Sequence, residues 1–459
     1  MKIRFVTLGC KLNFAESSAI GKALLQRGHT RAKQGEEADI CVINTCSVTD
    51  NADHKDRQTI HRIHRQNPNA IIIVTGCYAQ LQPEQIAQIE GVDYVLGQNE
   101  KYEITQLVDD IERLRDSLED ASLQDAASGY SLEAQRREGE RREAKGERQD
   151  GKIHVCAIRE VEEFHGAYSK DDRTRCFLKV QDGCNYFCTY CTIPYARGKS
   201  RNPKIEEVVK DAQEAISQGA KEIILTGVNI GDFGRSTGES FLELLRALDG
   251  LEAKGERREA KGMDYRIRIS SCEPNLLTDE IIDFVAQSKH FAPHFHIPLQ
   301  SGSNEVLSIM KRRYTRELFE ERVQHIKQVM PHAFIGVDCM VGVRGETEEC
   351  FNDYVDFIKR LDVSQLHVFT YSERANTRML ELDVCIVPKA ERQRRSKILH
   401  EISEEKTRTF YANQTGREAI VLWESKKEGD QMAGFTENYV KVHRPYDKAK
   451  VNTFEVIRL

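Results

Sequence analysis

Apolar runs alternate with polar stretches of helical length through the first hundred residues. Ile3 to Leu8, Asp39 to Ile43, Ala70 to Thr75 and the shorter Tyr94 to Leu96 read as strands, and the segments between them read as helices. That alternation predicts a parallel α/β sheet. The first three strands each run directly into a cysteine, Cys10, Cys46 and Cys77. Ligands gather at the carboxyl ends of strands in open α/β sheets, so these sequence-distant thiols are predicted to converge.

From about Ile111 to Gly151 the chain becomes strongly charged, and it reads as a linker. The octapeptide Gly139 to Gly146 recurs unchanged at Gly255 to Gly262, with no apolar face to bury. Two copies are too few for a solenoid, so both are expected to be solvated insertions.

Strands and amphipathic helices alternate again from Arg175, with strands predicted at Cys176 to Val180, Glu222 to Thr226, Tyr265 to Ile269, His294 to Ile297, Phe334 to Val337 and Gln365 to Phe369. Some six strand–helix repeats predict a complete or partial (β/α) barrel with its functional residues at the carboxyl ends of strands. From about Thr407 the pattern shortens to β-rich runs at Ala419 to Trp423, Tyr439 to Val442 and Thr453 to Ile457. Turn residues separate them, which predicts a small closing β-barrel. The expected organisation is an α/β domain over 1–115, a charged linker over 116–169, a partial barrel over 170–400 with an insertion at 251–262, and a β-barrel over 401–459.

Composition narrows the function. A chain of 459 residues, 39% hydrophobic and 31% charged, is too long for one core and too apolar for general disorder. No apolar run approaches the roughly 20 residues needed to cross a bilayer. Met1 to Cys10 lacks an apolar signal region, so a cytoplasmic protein without membrane association is expected. The formal net charge of −6 argues against a uniformly basic nucleic-acid coat and leaves room for a local basic surface. Thirteen cysteines are an odd number, which excludes a complete disulfide framework and favours metal ligation.

The densest chemistry lies at Cys184-Asn185-Tyr186-Phe187-Cys188-Thr189-Tyr190-Cys191, three thiols in one short loop after a strand. A four-iron cubane held by three thiolates keeps one iron open to an outside ligand. The alternatives are a zinc site, which normally closes with a fourth ligand, or thiols that merely pack. Cys10, Cys46 and Cys77 form a second candidate triplet, each beside turn-forming or small polar residues whose backbone N–H groups can face an anion. Free cysteine often simply packs, and that reading applies to Cys41, Cys156, Cys176, Cys272, Cys339, Cys350 and Cys385, which lack grouped spacing.

The Cys184–Cys191 loop resembles the CxxxCxxC loop of radical S-adenosylmethionine enzymes, and Cys10, Cys46 and Cys77 resemble the amino-terminal triad of the methylthiotransferases. Further matches are Leu8-Gly9-Cys10-Lys11-Leu12-Asn13, Asn44 to Thr49, Thr75-Gly76-Cys77, Arg268 to Ser271 with Glu273-Pro274, and His296 to Gly302. Gly9 to Asn13 and Thr226 to Asp232 look most like the branch acting on N6-threonylcarbamoyladenosine at tRNA position 37. Gly434 to Val440 is similar to a TRAM domain, an RNA-binding β-barrel. One departure is Gly342-Val343-Arg344-Gly345-Glu346-Thr347, where the family usually has Gly-Phe-Pro-Gly-Glu-Thr.

The resemblance implies an enzyme with two [4Fe-4S] clusters and S-adenosyl-L-methionine, which methylthiolates C2 of the modified adenosine in the tRNA anticodon loop. An electron donor such as a flavodoxin or ferredoxin is implied too. Tyr190 would pack against the cofactor's adenine, with an ordinary packing aromatic as the alternative. Asn229, Ser270, Glu273 and Gln300 are candidates for polar cofactor contacts, or else turn and capping residues. Tyr439, Lys441 and Arg444 are candidates for base stacking and phosphate contact, or else an ordinary solvated rim. Rival readings are the same chemistry on a ribosomal protein, and a non-catalytic iron–sulfur RNA adaptor.

Overall fold

The computed structural model describes residues 1–33, 35–126, 152–169, 174–251 and 264–459, without side chains for 118–126. Both copies of the charged octapeptide lie outside the described residues. The chain divides into two compact units, Met1–Glu163 with Thr192–Lys199, and Phe164–Cys191 with Ser200–Leu459.

The first unit is built on β1 (Lys2–Thr7), β2 (Thr30–Arg31), β3 (Ile40–Thr45), β4 (Ile71–Gly76), β5 (Tyr94–Leu96) and β6 (Ile153–His154), in the order β2-β1-β3-β4-β5-β6. Every pairing is parallel. The central strands read as unbroken apolar runs because helices cover both faces. Ile40, Val42 and Ile73 pack with Ile20, Ile104 and Val108 on one side. Cys41, Ile43, Ile72 and Val74 pack with Ile60, Ile63 and Ile86 on the other. Each such side chain contributes roughly 1.5–3 kcal/mol on burial. The helix Ile104–Ala126 and strand β6 both extend into the span read as a charged linker.

The second unit starts from β7 (Ala167–Tyr168), β8 (Arg175–Lys179), β9 (Glu222–Thr226) and β10 (Arg266–Ile269), with β8, β9 and β10 parallel and β7 antiparallel at the edge. A second parallel set follows: β11 (His294–Gln300), β12 (Phe334–Val341) and β13 (Gln365–Thr370). Parallel bridges at Ile267–Phe291 and Ser271–His296 join the two sets into a six-stranded partial barrel. Alternation along the strands decides what faces where. Leu178, Leu225, Ile267, Ile297, Val337 and Leu366 pack outward on a core shared with the surrounding helices.

The opposite face is polar at the amino ends of β9 and β10. There Glu222 is buried in ion pairs with Arg266 and Arg268. The two arginines then donate onward to carbonyls of the closing sheet, Arg266 to Ile420 (3.2 Å) and Phe435 (3.0 Å), and Arg268 to Glu437 (3.1 Å).

The closing sheet is curled and antiparallel, ordered β16-β15-β14-β17 from β14 (Glu418–Glu428), β15 (Gln431–Thr436), β16 (Lys441–Pro445) and β17 (Phe454–Arg458). It has one strand more than the sequence pattern predicts, because Gly434 and Ala433 dilute the apolar signal of β15. Tyr439 is not in a strand as expected. It turns at φ 68° between β15 and β16, where the Tyr439 N–H donates to the Thr436 carbonyl (3.1 Å). The helix Lys389–Ala412 runs across the boundary expected at 400/401.

Candidate functional site

In the first unit, Cys10 and Cys46 follow β1 and β3, and Cys77 begins the short helix after β4. Glycine makes their approach possible. Gly9 sits at φ 95°, and a Cβ there would lie 2.6 Å from the Cys46 Cβ. Gly76 sits at φ 101°, and a Cβ there would collide with the Thr45 backbone. Asn13 ties the strand ends together, donating to the carbonyls of Leu8 and Thr45 at 2.9 Å each. The Cys46 N–H donates to Asp56 Oδ2 (2.8 Å).

Beneath the thiols Glu16 is fully buried between two cations, Lys101 (2.7 Å) and Arg197 (3.1 Å). Arg197 also donates to Asn13 Oδ1 (2.6 Å). Burial pushes the Cys46 thiol up to about 12, with Cys77 and Cys10 adding to the rise. Burial raises Cys77 as well, while Arg197 and Lys101 oppose that rise. At Cys77 the two cations thus offset part of the penalty that burial places on anionic sulfur.

In the second unit, the Cys184–Cys191 loop follows β8 and is held by a segment more than a hundred residues away. The Thr189 N–H donates to the Met310 carbonyl (3.2 Å), and the Thr189 hydroxyl to the Ile309 carbonyl (2.9 Å). The Arg313 guanidinium lies over the Tyr186 ring at 4.0 Å. Arg312, 4% exposed, donates to Cys188 Sγ (3.2 Å) and the Tyr190 hydroxyl (3.3 Å), and pairs with Glu273. Burial raises Cys184 to about 11. It raises Cys188 too, against the pull of Arg312.

Above the barrel strands several buried polar atoms lack a hydrogen-bond partner among the described residues: the amide of Asn229, Gln300 Oε1, Asn275 Oδ1 and Asp232 Oδ2. Each unmet group costs about 1–3 kcal/mol, so the cluster fits a polar ligand such as an amino acid sulfonium with a ribose. Gln181 shapes the loop that carries Asn229, accepting from the N–H groups of Val228 (2.9 Å) and Asn229 (2.8 Å). Gln300 is held at φ 65° at the end of β11.

Of the expected cofactor contacts, Asn229 and Ser270 are buried, whereas Glu273 is engaged by Arg312. Tyr190 packs against an apolar cluster that includes Met310, Val343 and Met379. Tyr439 is enclosed by Phe334 and Phe435 and lies under the Arg268 guanidinium at 4.8 Å. Lys441 pairs with Glu428 (3.0 Å), and Arg444 with Glu455 (2.6 Å). Among the cysteines expected only to pack, Cys385 is exposed and Cys156 half-buried, and the other five are buried. Sequence reasoning missed Arg197, Arg312 and Gln181.

Among the described residues, the only His, Cys, Asp or Glu group whose ligand atoms all lie within 4.8 Å of one another is His296–Asp338–His367. Neither thiol triplet forms such a group.

Residues 178–358 match the Radical SAM superfamily, and residues 2–97 match a group described as "Uncharacterized protein family UPF0004". The threonylcarbamoyladenosine tRNA methylthiotransferase MtaB of Bacillus subtilis is 37% identical over 96% of this chain and 89% of its own. The protein of the same name from Aquifex aeolicus is 34% identical over 97% of both chains. The chain belongs to the radical S-adenosylmethionine methylthiotransferase family.

A tRNA-2-methylthio-N(6)-dimethylallyladenosine synthase from Pelotomaculum thermopropionicum is 30% identical over 95% of this chain and 88% of its own. In fold, the chain resembles the radical S-adenosylmethionine methyltransferase TsrM from Kitasatospora setae, with a TM-score of 0.53 and 16% identity over 80% of this chain and 72% of that one. The cofactors of this methylthiotransferase are [4Fe-4S] clusters and S-adenosylmethionine.

Proposed function

We propose that this chain methylthiolates C2 of N6-threonylcarbamoyladenosine at position 37 in the anticodon loop of tRNA. The observation that carries this reading is 34–37% identity along nearly the whole chain to two methylthiotransferases named for that nucleoside. Cys10, Cys46 and Cys77 hold one four-iron cluster, and Cys184, Cys188 and Cys191 hold the other. When bound, the clusters and S-adenosylmethionine supply radical hydrogen abstraction and the methylthio group, because an adenine C2–H is neither acidic nor attached to a leaving group.

The chain's own residues prepare for that chemistry. Thiols must lose protons to ligate iron, and Arg312 beside Cys188, with Arg197 and Lys101 near Cys77, favours the thiolate where burial opposes it. Asn229, Ser270 and Gln300 meet the cofactor's polar groups, and Tyr190 flanks it. Arg312 joins Cys188, Tyr190 and Glu273 in one hydrogen-bonded group, so cluster loop and cofactor wall keep a single geometry. The closing sheet, through Lys441 and Arg444, is the contact for tRNA, and a flavodoxin or ferredoxin is the electron donor. No helix among the described residues is long and apolar enough to cross a membrane. We place the enzyme in the cytoplasm, with its tRNA substrate.

Cluster-loaded enzyme, incubated with reductant, S-adenosylmethionine and tRNA carrying either threonylcarbamoyladenosine or dimethylallyladenosine, tests the assignment. Methylthiolation of the first and not the second is expected. The reverse preference would overturn the choice of nucleoside.

A further inference from the structure

His296, Asp338 and His367 stand on three neighbouring parallel strands, β11, β12 and β13. Asp338 is in register with His367 on one side and with Pro298, two residues beyond His296, on the other. Phe295, Ile297, Val337, Cys339, Leu366 and Val368 alternate with them and pack on the outer core. The three polar side chains therefore face the barrel interior, where they remain 19%, 17% and 38% exposed. Gly336 lies opposite His296, and a Cβ there would be in ordinary contact with the His367 Cε1 at 3.4 Å.

One atom from each side chain points at a common place. His296 Nε2 lies 2.7 Å from Asp338 Oδ1, His367 Nδ1 lies 3.3 Å from the same oxygen, and the two nitrogens are 3.3 Å apart. The three atoms form a triangle with sides of 2.7–3.3 Å, in which one carboxylate oxygen faces both imidazole nitrogens.

A cation beside this triangle can take a lone pair from each of the three atoms. Metal–ligand bonds of about 2.0–2.1 Å separate neighbouring ligands by roughly 3.0–3.4 Å, near the spacing seen here. Two imidazoles and one carboxylate on one side of an ion leave its other positions open.

We propose that His296, Asp338 and His367 bind a divalent transition-metal ion of the zinc class on the interior face of the barrel, separate from both cysteine triplets. Its open positions face the barrel interior and would take water or an oxygen-donor ligand. The site requires no redox change of the ion.

The test uses cluster-loaded enzyme equilibrated with zinc sulfate, desalted, and analysed for metals by mass spectrometry and for zinc coordination by X-ray absorption. We expect about one zinc per chain beside about eight irons, with nitrogen and oxygen neighbours at about 2.0–2.1 Å. Asp338→Asn and the more exposed His367→Ala should each weaken zinc binding by tenfold or more without changing iron content. His296→Gln supplies a third variant should either of these lose its fold. Wild-type protein that retains no zinc, zinc with sulfur neighbours at about 2.3 Å, or equal zinc in wild type and folded variants would each overturn the proposal.

Discussion

The Cβ that Gly9 lacks would lie 2.6 Å from the Cys46 Cβ and 3.0 Å from its sulfur, so the backbone just before Cys10 can run against Cys46 only because Gly9 has no side chain. The positive φ of 95° adds a second reason for glycine.

Gly9→Ala is therefore expected to lower the iron content of reconstituted enzyme by about half, from roughly eight to roughly four per chain, while the Cys184–Cys191 cluster stays. Iron and sulfide analysis checks this, and an unchanged iron count would show that the strand ends tolerate the extra carbon.

Arg312 makes a different contribution, since it binds Cys188, Tyr190 and Glu273 together from a nearly buried position. Groups of this kind around metal ligands typically change affinity or activity by about 10–100-fold when removed. Arg312→Gln should slow release of 5′-deoxyadenosine within that range, and Arg312→Lys should recover only part of it because a single ammonium cannot reach all three partners. Wild-type cleavage rates in both variants would remove Arg312 from the site.

How much of this was readable from sequence alone depended on how local each signal was. The cysteines at the ends of β1 and β3 and at the head of the helix after β4 were legible, because strand periodicity and the following turn lie in a few adjacent residues. The CxxxCxxC loop is local as well. Arg312 was not, since Lys311-Arg312-Arg313 reads as a solvated charged run, and only folding brings it to Cys188 across 124 positions. Arg197 reaches Glu16 across 181 positions and carries no local mark either. His296, Asp338 and His367 depend on strand register, which no spacing within a single segment records. The sequence offers Tyr439 as a stacking aromatic or a residue of a solvated rim, but Phe334, Phe435 and Arg268 pack around it in the fold.

The ion-pair group at the amino ends of the barrel strands gives a pH-dependent stability. Burial alone would raise the Glu222 carboxyl, but Arg266 and Arg268 outweigh it and hold Glu222 well below its ordinary value of 4.5. A carboxylate with a depressed folded value contributes its full stability above the unfolded value and loses it as pH falls further. Thermal unfolding should thus be level near neutral pH and decline below about pH 4.5. Glu222→Gln, which leaves two buried guanidiniums underpaired, should destabilise by about 3–5 kcal/mol at neutral pH and weaken that acid dependence. An acid profile identical to wild type would contradict this role.

Lys441 and Arg444 already pair with Glu428 and Glu455, so as the proposed tRNA contacts each would trade a carboxylate for phosphate. The double variant Lys441→Ala/Arg444→Ala should weaken tRNA binding and reduce the salt dependence of the affinity by about one to two phosphate contacts. An unchanged salt slope would place the tRNA contact elsewhere on the chain.

Nucleoside mass spectrometry of bulk tRNA, from cells with and without this gene, tests the central claim most directly. The account predicts that 2-methylthio-N6-threonylcarbamoyladenosine disappears without the gene, that its unthiolated precursor accumulates, and that the wild-type gene restores it while Cys188→Ala does not. Unchanged 2-methylthio-N6-threonylcarbamoyladenosine in the strain lacking the gene would contradict it.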